Sequence, residues 1–505
     1  LIGLKDEIPD NTHGTGQAPW SLVVTSGPTD RFGPWCYAIA MPETNGAQVD
    51  PAAPKPGLSL ELEVVDLDRD GHGLARWNNW VIVVPGLLPG ERGQVQLQQR
   101  QKSRWLSRVT ERLVASPVRR HPPCILARDC GGCTLQHLED AAQRSWKQET
   151  LTQTLNRIGG LDHPADPALA DPRGIGYRNR GLIPLRREDG GRLRMGYFRR
   201  GTHRIVNLSQ CPVLDPRLDG LLAPLKADLD ASGVEADHDL SRGQGLRHLG
   251  LRVGHHTGEV LITVVSSAPH PALPLLAERW FSRWNQVQGV TLNLQPRRTN
   301  QILGPTTQVL AGVDRIREQF CGLDLFLGTT TFFQINTPQA EQIVRQIVAW
   351  LVAQSGDGPI IDAYCGIGTI SLPLAAEGLE VVGIEINPDS IAQAQANATA
   401  NELQGRTRFV AGDVATLLQA ELSGCAALVV DPPRRGLAPD VVEAILADPP
   451  PLLAYLSCDV ATQARDLRQL LAPAGVYALE RLQPVDFFPQ TTHLESLALM
   501  RRINS

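Results

Sequence analysis

Two residues near the C-terminal end of this 505-residue chain have the types needed for covalent catalysis. Ser457-Cys458 closes the apolar run LLAYLS immediately before the helix-like ATQARDL, and Glu495 sits in FFPQTTHLESLALM. Strand ends of a parallel sheet face its ligand crevice, and a helix N-terminus favours thiolate over thiol, so Cys458 is a candidate nucleophile. Glu495 is a candidate proton acceptor. A second set is Cys124, Cys130 and Cys133, spaced C-x5-C-x2-C, followed after 77 further residues by Cys211 in SQCPVLDP. Thiolates at C-x2-C can share one metal centre, with Gly131 and Gly132 letting the backbone fold around it; zinc and an iron–sulfur cluster both suit four cysteines. Cys36, Cys321, Cys365 and Cys425 have no such spacing and read as structural.

A third set points to a nucleoside cofactor. PIIDAYCGIGTISLPLA reads as a buried strand, a turn at Gly366 and Gly368, and a helix beginning near Thr369. Glu385 closes the next strand 21 residues after Tyr364, and Asp413 and Asp431 close two more. Acids at strand ends can hold ribose hydroxyls, while the third glycine of a dinucleotide fingerprint is missing. The pattern therefore favours a nucleoside without a pyrophosphate, and S-adenosylmethionine fits.

The elements that must position these residues follow from periodicity. From Thr330 onward, strand-like runs (PIIDAY, LEVVGIEI, TRFVAGD, AALVVDPP, LLAYLSC) alternate with helical ones, which implies a parallel doubly wound sheet. Residues 58–118 carry short alternating strands separated by DRDGHG and PGLLPGE, the pattern of a small β-barrel. Residues 119–328 read as a central mixed α/β domain that includes the cysteine-dense loop. Residues 1–57 are Pro- and Gly-rich without sustained periodicity; we expect an extension there, with natural translation starting at Met41.

Composition excludes several classes. The apolar fraction is 42% and the charged fraction 20%, as in ordinary globular proteins. No apolar stretch reaches the roughly 18 residues of a membrane span, no secretory signal is evident, and nine cysteines are too few for a secreted disulfide scaffold. A cytoplasmic protein is expected. The net charge of −5 argues against nucleic acid only as a whole-chain sum. Residues 91–120 hold eight Arg or Lys against two acids, and residues 173–204 hold ten Arg against two. Those segments read as a phosphate-tracking surface, with Trp105 among the arginines as a stacking group.

TFFQIN, DAYCGIGT, VVDPPRRGL, LSCDVAT and FFPQTTHLE occur in the order found in the RNA uracil-5-methyltransferase family, which this chain resembles over 58–503. C5 of uracil is a poor nucleophile; a thiolate added to C6 makes C5 nucleophilic, and a base must then remove the C5 proton. The resemblance implies Cys458 as nucleophile and Glu495 as base. It carries cofactor contacts to Gln334, Tyr364, Thr369, Glu385, Asp413 and Asp431, although Thr369 stands where many members have Asn. Val460 likewise replaces a usual Pro, and His493 reads as structural. GHGLARW and PGLLPGERGQVQL resemble a TRAM domain, an OB-like RNA-binding barrel. The cysteine spacing followed by Cys-Pro resembles the [4Fe–4S] site of the ribosomal-RNA branch, so Cys124, Cys130, Cys133 and Cys211 are expected cluster ligands.

The implied fold is a Rossmann-like methyltransferase domain at 329–505 behind an OB-like barrel and a central α/β domain. The implied substrate is a uridine of 23S ribosomal RNA, with transfer RNA as the alternative and a non-catalytic RNA-binding or assembly factor as a third reading. We expect a monomer that binds RNA and no membrane.

Overall fold

A computed structural model describes residues 54–503. Met41, Cys36 and all but the last four residues of the expected extension lie outside the described residues.

The C-terminal half is built on one large sheet. Its strands are β1 (Ile360–Ala363), β2 (Val381–Glu385), β3 (Thr407–Ala411), β4 (Ala427–Val430), β5 (Leu452–Ser457), β6 (Tyr477–Asp486) and β7 (Glu495–Arg502). They lie in the order β3-β2-β1-β4-β5-β7-β6. The first five are parallel, whereas β7 runs antiparallel to β5 and β6. β1, β4 and β5 are buried along their whole lengths, which is why they read as unbroken apolar runs. The order reverses between β1 and β4, and that switch point opens the crevice at the strands' carboxyl ends. Asn387, Asp413 and Asp459 cap the helices that follow β2, β3 and β5.

Pieces of the preceding chain are built into this half. The Asp140–Thr154 helix and the turn after it place Leu151 and Leu155 in one core with Tyr455, Leu467 and Tyr477. Leu169–Ala170 adds an eighth strand beside β6. The hairpin Arg315–Phe320/Leu323–Gly328 contributes Ile316, Phe320, Leu325 and Leu327 to the core on the other face. A separate six-stranded sheet, centred on Leu246–Val253 and Val260–Ser266, has its own core with the helices Pro216–Ala231 and Ala272–Arg283.

The N-terminal strands Ser59–Leu67, Gly73–Trp77, Trp80–Val84, Arg92–Gln101 and Arg104–Val114 close into a barrel. Its interior is filled by Leu62, Val64, Ile82, Val84, Val95, Leu97 and Trp105. Trp105 is thus a core residue, only 5% exposed, and not the stacking group expected from its arginine neighbours. Strand alternation turns its side chain inward, while Arg104 and Arg108 point out. No helix among the described residues is long and apolar enough to cross a membrane.

Candidate active site

The turn after β1 is held in a left-handed conformation at three positions. Gly366 and Gly368 have φ of 56° and 88°, and Tyr364, which has a side chain to strain, has φ of 69°. Glu385 at the end of β2 faces that turn, accepting from the Gly366 N–H at 3.3 Å and the Asn387 N–H at 2.8 Å. Asp362, buried, and Asp431, half-buried, lie beside each other at the ends of β1 and β4. Desolvation pushes both carboxyls up to about 7; Glu385 adds to the rise at Asp362, and Asp362 to the rise at Asp431. The Ser371 hydroxyl donates to Asp362 at 2.5 Å.

Thr369 is half-buried on the approach to the Ser371–Ala376 helix, which starts two residues later than the sequence suggests. Gln334 lies at the lead-in to the Thr337–Gln354 helix, and its backbone carbonyl accepts from the Asn179 amide at 2.8 Å. Asp413 is exposed and caps the Val414–Leu422 helix through the Ala415 N–H at 3.0 Å, so its carboxylate already has a structural task.

Cys458 and Glu495 meet across two strands. The β5–β7 pairing ends with Ser457 opposite Ser496, and Cys458 and Glu495 are the next residues on either side, close enough for the Glu495 carboxyl to act on the thiol. Burial pushes the Cys458 thiol up to about 12, with the Glu495 and Asp431 carboxyls adding to the rise against Arg434. Burial and Asp431 push Glu495 up to about 8, opposed by Arg434 and Lys147. The expected thiolate stabilisation by the helix N-terminus is not what the site provides. The Asp459 carboxylate takes the N–H groups of Ala461 and Thr462 for itself, and two acids face the sulfur.

The loop from Phe487 to Leu494, which leads into Glu495, is gripped by residues that the sequence did not mark. Gln490, with φ of 70° and no exposed surface, is the centre of the grip. Its carbonyl accepts from the Thr134 and Leu135 N–H groups at 3.0 and 2.9 Å, and its N–H donates to Gln143 at 2.9 Å. Its side chain accepts from Arg120 at 2.8 Å and donates to Asp140 at 2.7 Å. The buried Tyr177 hydroxyl donates to the Pro489 carbonyl at 3.1 Å. One turn beyond Gln143, Lys147 reaches Asp486 at 2.6 Å and the Phe488 carbonyl at 3.2 Å. Asp140, Gln143 and Lys147 share one helix face; that spacing was the available signal. His493 packs beside Phe488, ring centres 5.4 Å apart, and burial and Arg434 push it down to about 4, so it is neutral.

The four spaced cysteines converge. Burial raises Cys130, takes Cys133 to about 11 and Cys211 to about 12, and in each case neighbouring thiols of the set add to the rise. Among the described residues, no three of their sulfurs lie within 4.8 Å of one another. Arg200 ties the loop together by donating to the carbonyls of Ala127, Cys130 and Cys133 at 3.3, 3.4 and 2.7 Å.

The basic segments divide by direction. Arg92, Arg100, Lys102, Arg104, Arg108 and Arg112 are exposed on the barrel, and Arg100 stacks over Trp80 at 4.8 Å. In 173–204, by contrast, Arg180 and Arg187 turn inward onto the carbonyls of Thr329 and Leu229, leaving less free positive surface than the count suggests.

A family model described as tRNA (Uracil-5-)-methyltransferase matches residues 326–503. An uncharacterized RNA methyltransferase of Parasynechococcus marenigrum is 73% identical over 465 residues, covering 92% of this chain and 100% of its own length. One from Synechocystis is 40% identical over 453 residues, covering 89% and 96%. A crystal structure of Pyrococcus abyssi tRNA (uracil-54, C5)-methyltransferase in complex with S-adenosyl-L-homocysteine shares the fold. Its TM-score is 0.69 at 24% identity, over 87% of this chain and 100% of that one.

Proposed function

Because this chain belongs to the RNA (uracil-5-)-methyltransferase family, we propose that it methylates C5 of one uridine in 23S ribosomal RNA, with S-adenosylmethionine as donor. The observation that supports the chemistry is the proximity of the Cys458 thiol and the Glu495 carboxyl beyond the last β5–β7 pair.

The donor supplies an electrophilic methyl group on a positively charged sulfur. Gln334, Tyr364, Thr369, Glu385, Asp413 and Asp431 hold it, with Glu385 placed for the ribose hydroxyls. Burial raises Asp431, Glu495 and Cys458, and each ionises more readily when positive charge enters beside it. The Cys458 thiolate adds to C6 of the uracil, and the electron pair displaced to C5 takes the methyl group as its bond to the donor sulfur breaks, leaving that sulfur a neutral thioether. Glu495 then accepts the C5 proton, the C5–C6 double bond re-forms, and the C6–S bond breaks to return the thiolate.

Cys124, Cys130, Cys133 and Cys211 hold a [4Fe–4S] cluster on this reading. Tetrahedral zinc is the alternative for four thiolates, and the C-x5-C-x2-C spacing followed by Cys-Pro supports the cluster. Anaerobic purification should give a brown protein containing iron; zinc without iron overturns this assignment. The exposed arginines of the TRAM-like barrel support an RNA surface.

Transfer RNA is the second reading, favoured by the full-length likeness to the P. abyssi enzyme. Purified protein given undermethylated 23S ribosomal RNA, unmodified transfer RNA and labelled donor separates them. Label in one ribosomal uridine is the expected result, and label in transfer RNA alone replaces the substrate assignment. No label in either leaves a binding factor.

A further inference from the structure

We propose that Lys147 is a positioning residue of the methyl transfer, fastening the end of β6 to the loop that leads into Glu495 and presenting its ammonium to that carboxyl. The proposal rests on the reading of Glu495 as the base.

Lys147 comes from the Asp140–Thr154 helix, far outside the strands that carry the reacting groups, yet it has no exposed surface. An ammonium in that position is tolerated only with partners, and it has two: the Asp486 carboxylate at 2.6 Å and the Phe488 carbonyl at 3.2 Å. Those acceptors sit on either side of the point where β6 ends and the loop begins. β6 pairs with β7 so that Val485 lies opposite Glu495, which puts the lysine's anchor one residue from the base's cross-strand partner. Lysine has three N–H donors, and the two acceptors leave one over.

The charged groups around this pair can be named. Lys147 feels Asp486 and Glu495; Glu495 feels the acid Asp431 and the cations Arg434 and Lys147, and itself acts on the Cys458 thiol. His493 nearby is neutral. Arg434 is the larger cationic influence on Glu495 but is exposed, whereas Lys147 is buried and held in place by its two partners. Holding the loop and favouring the carboxylate are therefore combined in one side chain. Gln143, one turn earlier, does only the first.

The test is kcat against pH for wild type, Lys147→Met and the double variant Lys147→Met/Asp486→Leu, which removes the buried pair without orphaning an acid. We expect kcat at pH 7 to fall by roughly ten-fold or more, KM for the donor to stay within about two-fold, and the acid limb to move up by roughly one pH unit. Covalent enzyme–RNA adduct should also accumulate, because proton removal becomes slow. Lys147→Arg should restore part of the acid limb. An acid limb that does not move in the folded double variant overturns the proposal. Glu495→Gln, run alongside, separates the two ideas: if it turns over normally the base assignment has failed, and if it traps adduct while the Lys147 variants behave as wild type, only the positioning role has.

Discussion

Glu385 receives its backbone donors from Gly366 and Asn387, both within the same half of the sheet that carries it. The loop leading to Glu495 is held by Thr134, Gln143, Lys147 and Tyr177, none of which belongs to the catalytic strands. The turn that faces Glu385 is thus complete in one stretch of chain, whereas Glu495, the proposed base, is placed only when three separate segments come together. A turn whose conformation is set by its own glycines can be reused wherever a strand and helix meet. A loop without such local determinants takes its shape from its neighbours, and those neighbours become part of the catalytic apparatus.

The comparison can be broken at the point where both regions converge. Cys458→Ala should abolish turnover while leaving RNA affinity largely unchanged in a filter or mobility assay; appreciable methylation by that variant refutes the covalent route. Glu495→Gln should lose turnover as completely but trap an enzyme–RNA adduct that survives denaturation as a band shift. Smaller effects should sort by region. Gln143→Ala, which loosens Gln490, should lower kcat by roughly ten- to a hundred-fold with little change in KM for the donor. Glu385→Ala should instead raise KM for the donor by roughly ten-fold. If both variants shift the same parameter, the two regions are not separable.

The smallest effect is on stability. Asp362 and Asp431 have ordinary values of 3.8 and lie near 7 when folded, and Glu495 goes from 4.5 to about 8. The folded state therefore holds more protons than the unfolded one between about pH 4 and pH 8. The stability these acids contribute is full below about pH 4 and is lost as pH rises through their folded values. The melting temperature of the ligand-free protein should fall from pH 5 to pH 8, and Asp431→Asn should flatten that slope.

The donor side was legible in the sequence for the reason given above: the turn, Glu385 and the alternation of strands and helices are local patterns. The motifs singled out Cys458 and Glu495 as candidates, and the β5–β7 pairing brings the two close together. What misled was reading composition as surface. Trp105 stands among arginines but points into the barrel, and Arg180, Arg187 and Arg200 serve buried carbonyls. Side-chain direction is fixed by strand pairing, which local charge does not encode. The thiolate expected at Cys458 failed similarly, because the helix N-terminus is taken by Asp459 and the opposing acids come from other strands. Gln143 and Lys147 went unnoticed because their partners lie more than three hundred positions away, at separations of 347 and 339 residues.

Those separations have a consequence for how the protein comes into being. Thr134 follows Cys133 directly, and its hydroxyl and N–H both bond to the Gln490–Thr492 stretch. Contacts closing such long loops form late and are absent from any chain still emerging from the ribosome. The fold of the donor crevice can be in place while the base is still unplaced. The turn that carries Gly366 and faces Glu385 needs nothing from residues 487–495, so a nascent chain can fold it before the loop that Thr134 and the Asp140 helix hold has been made.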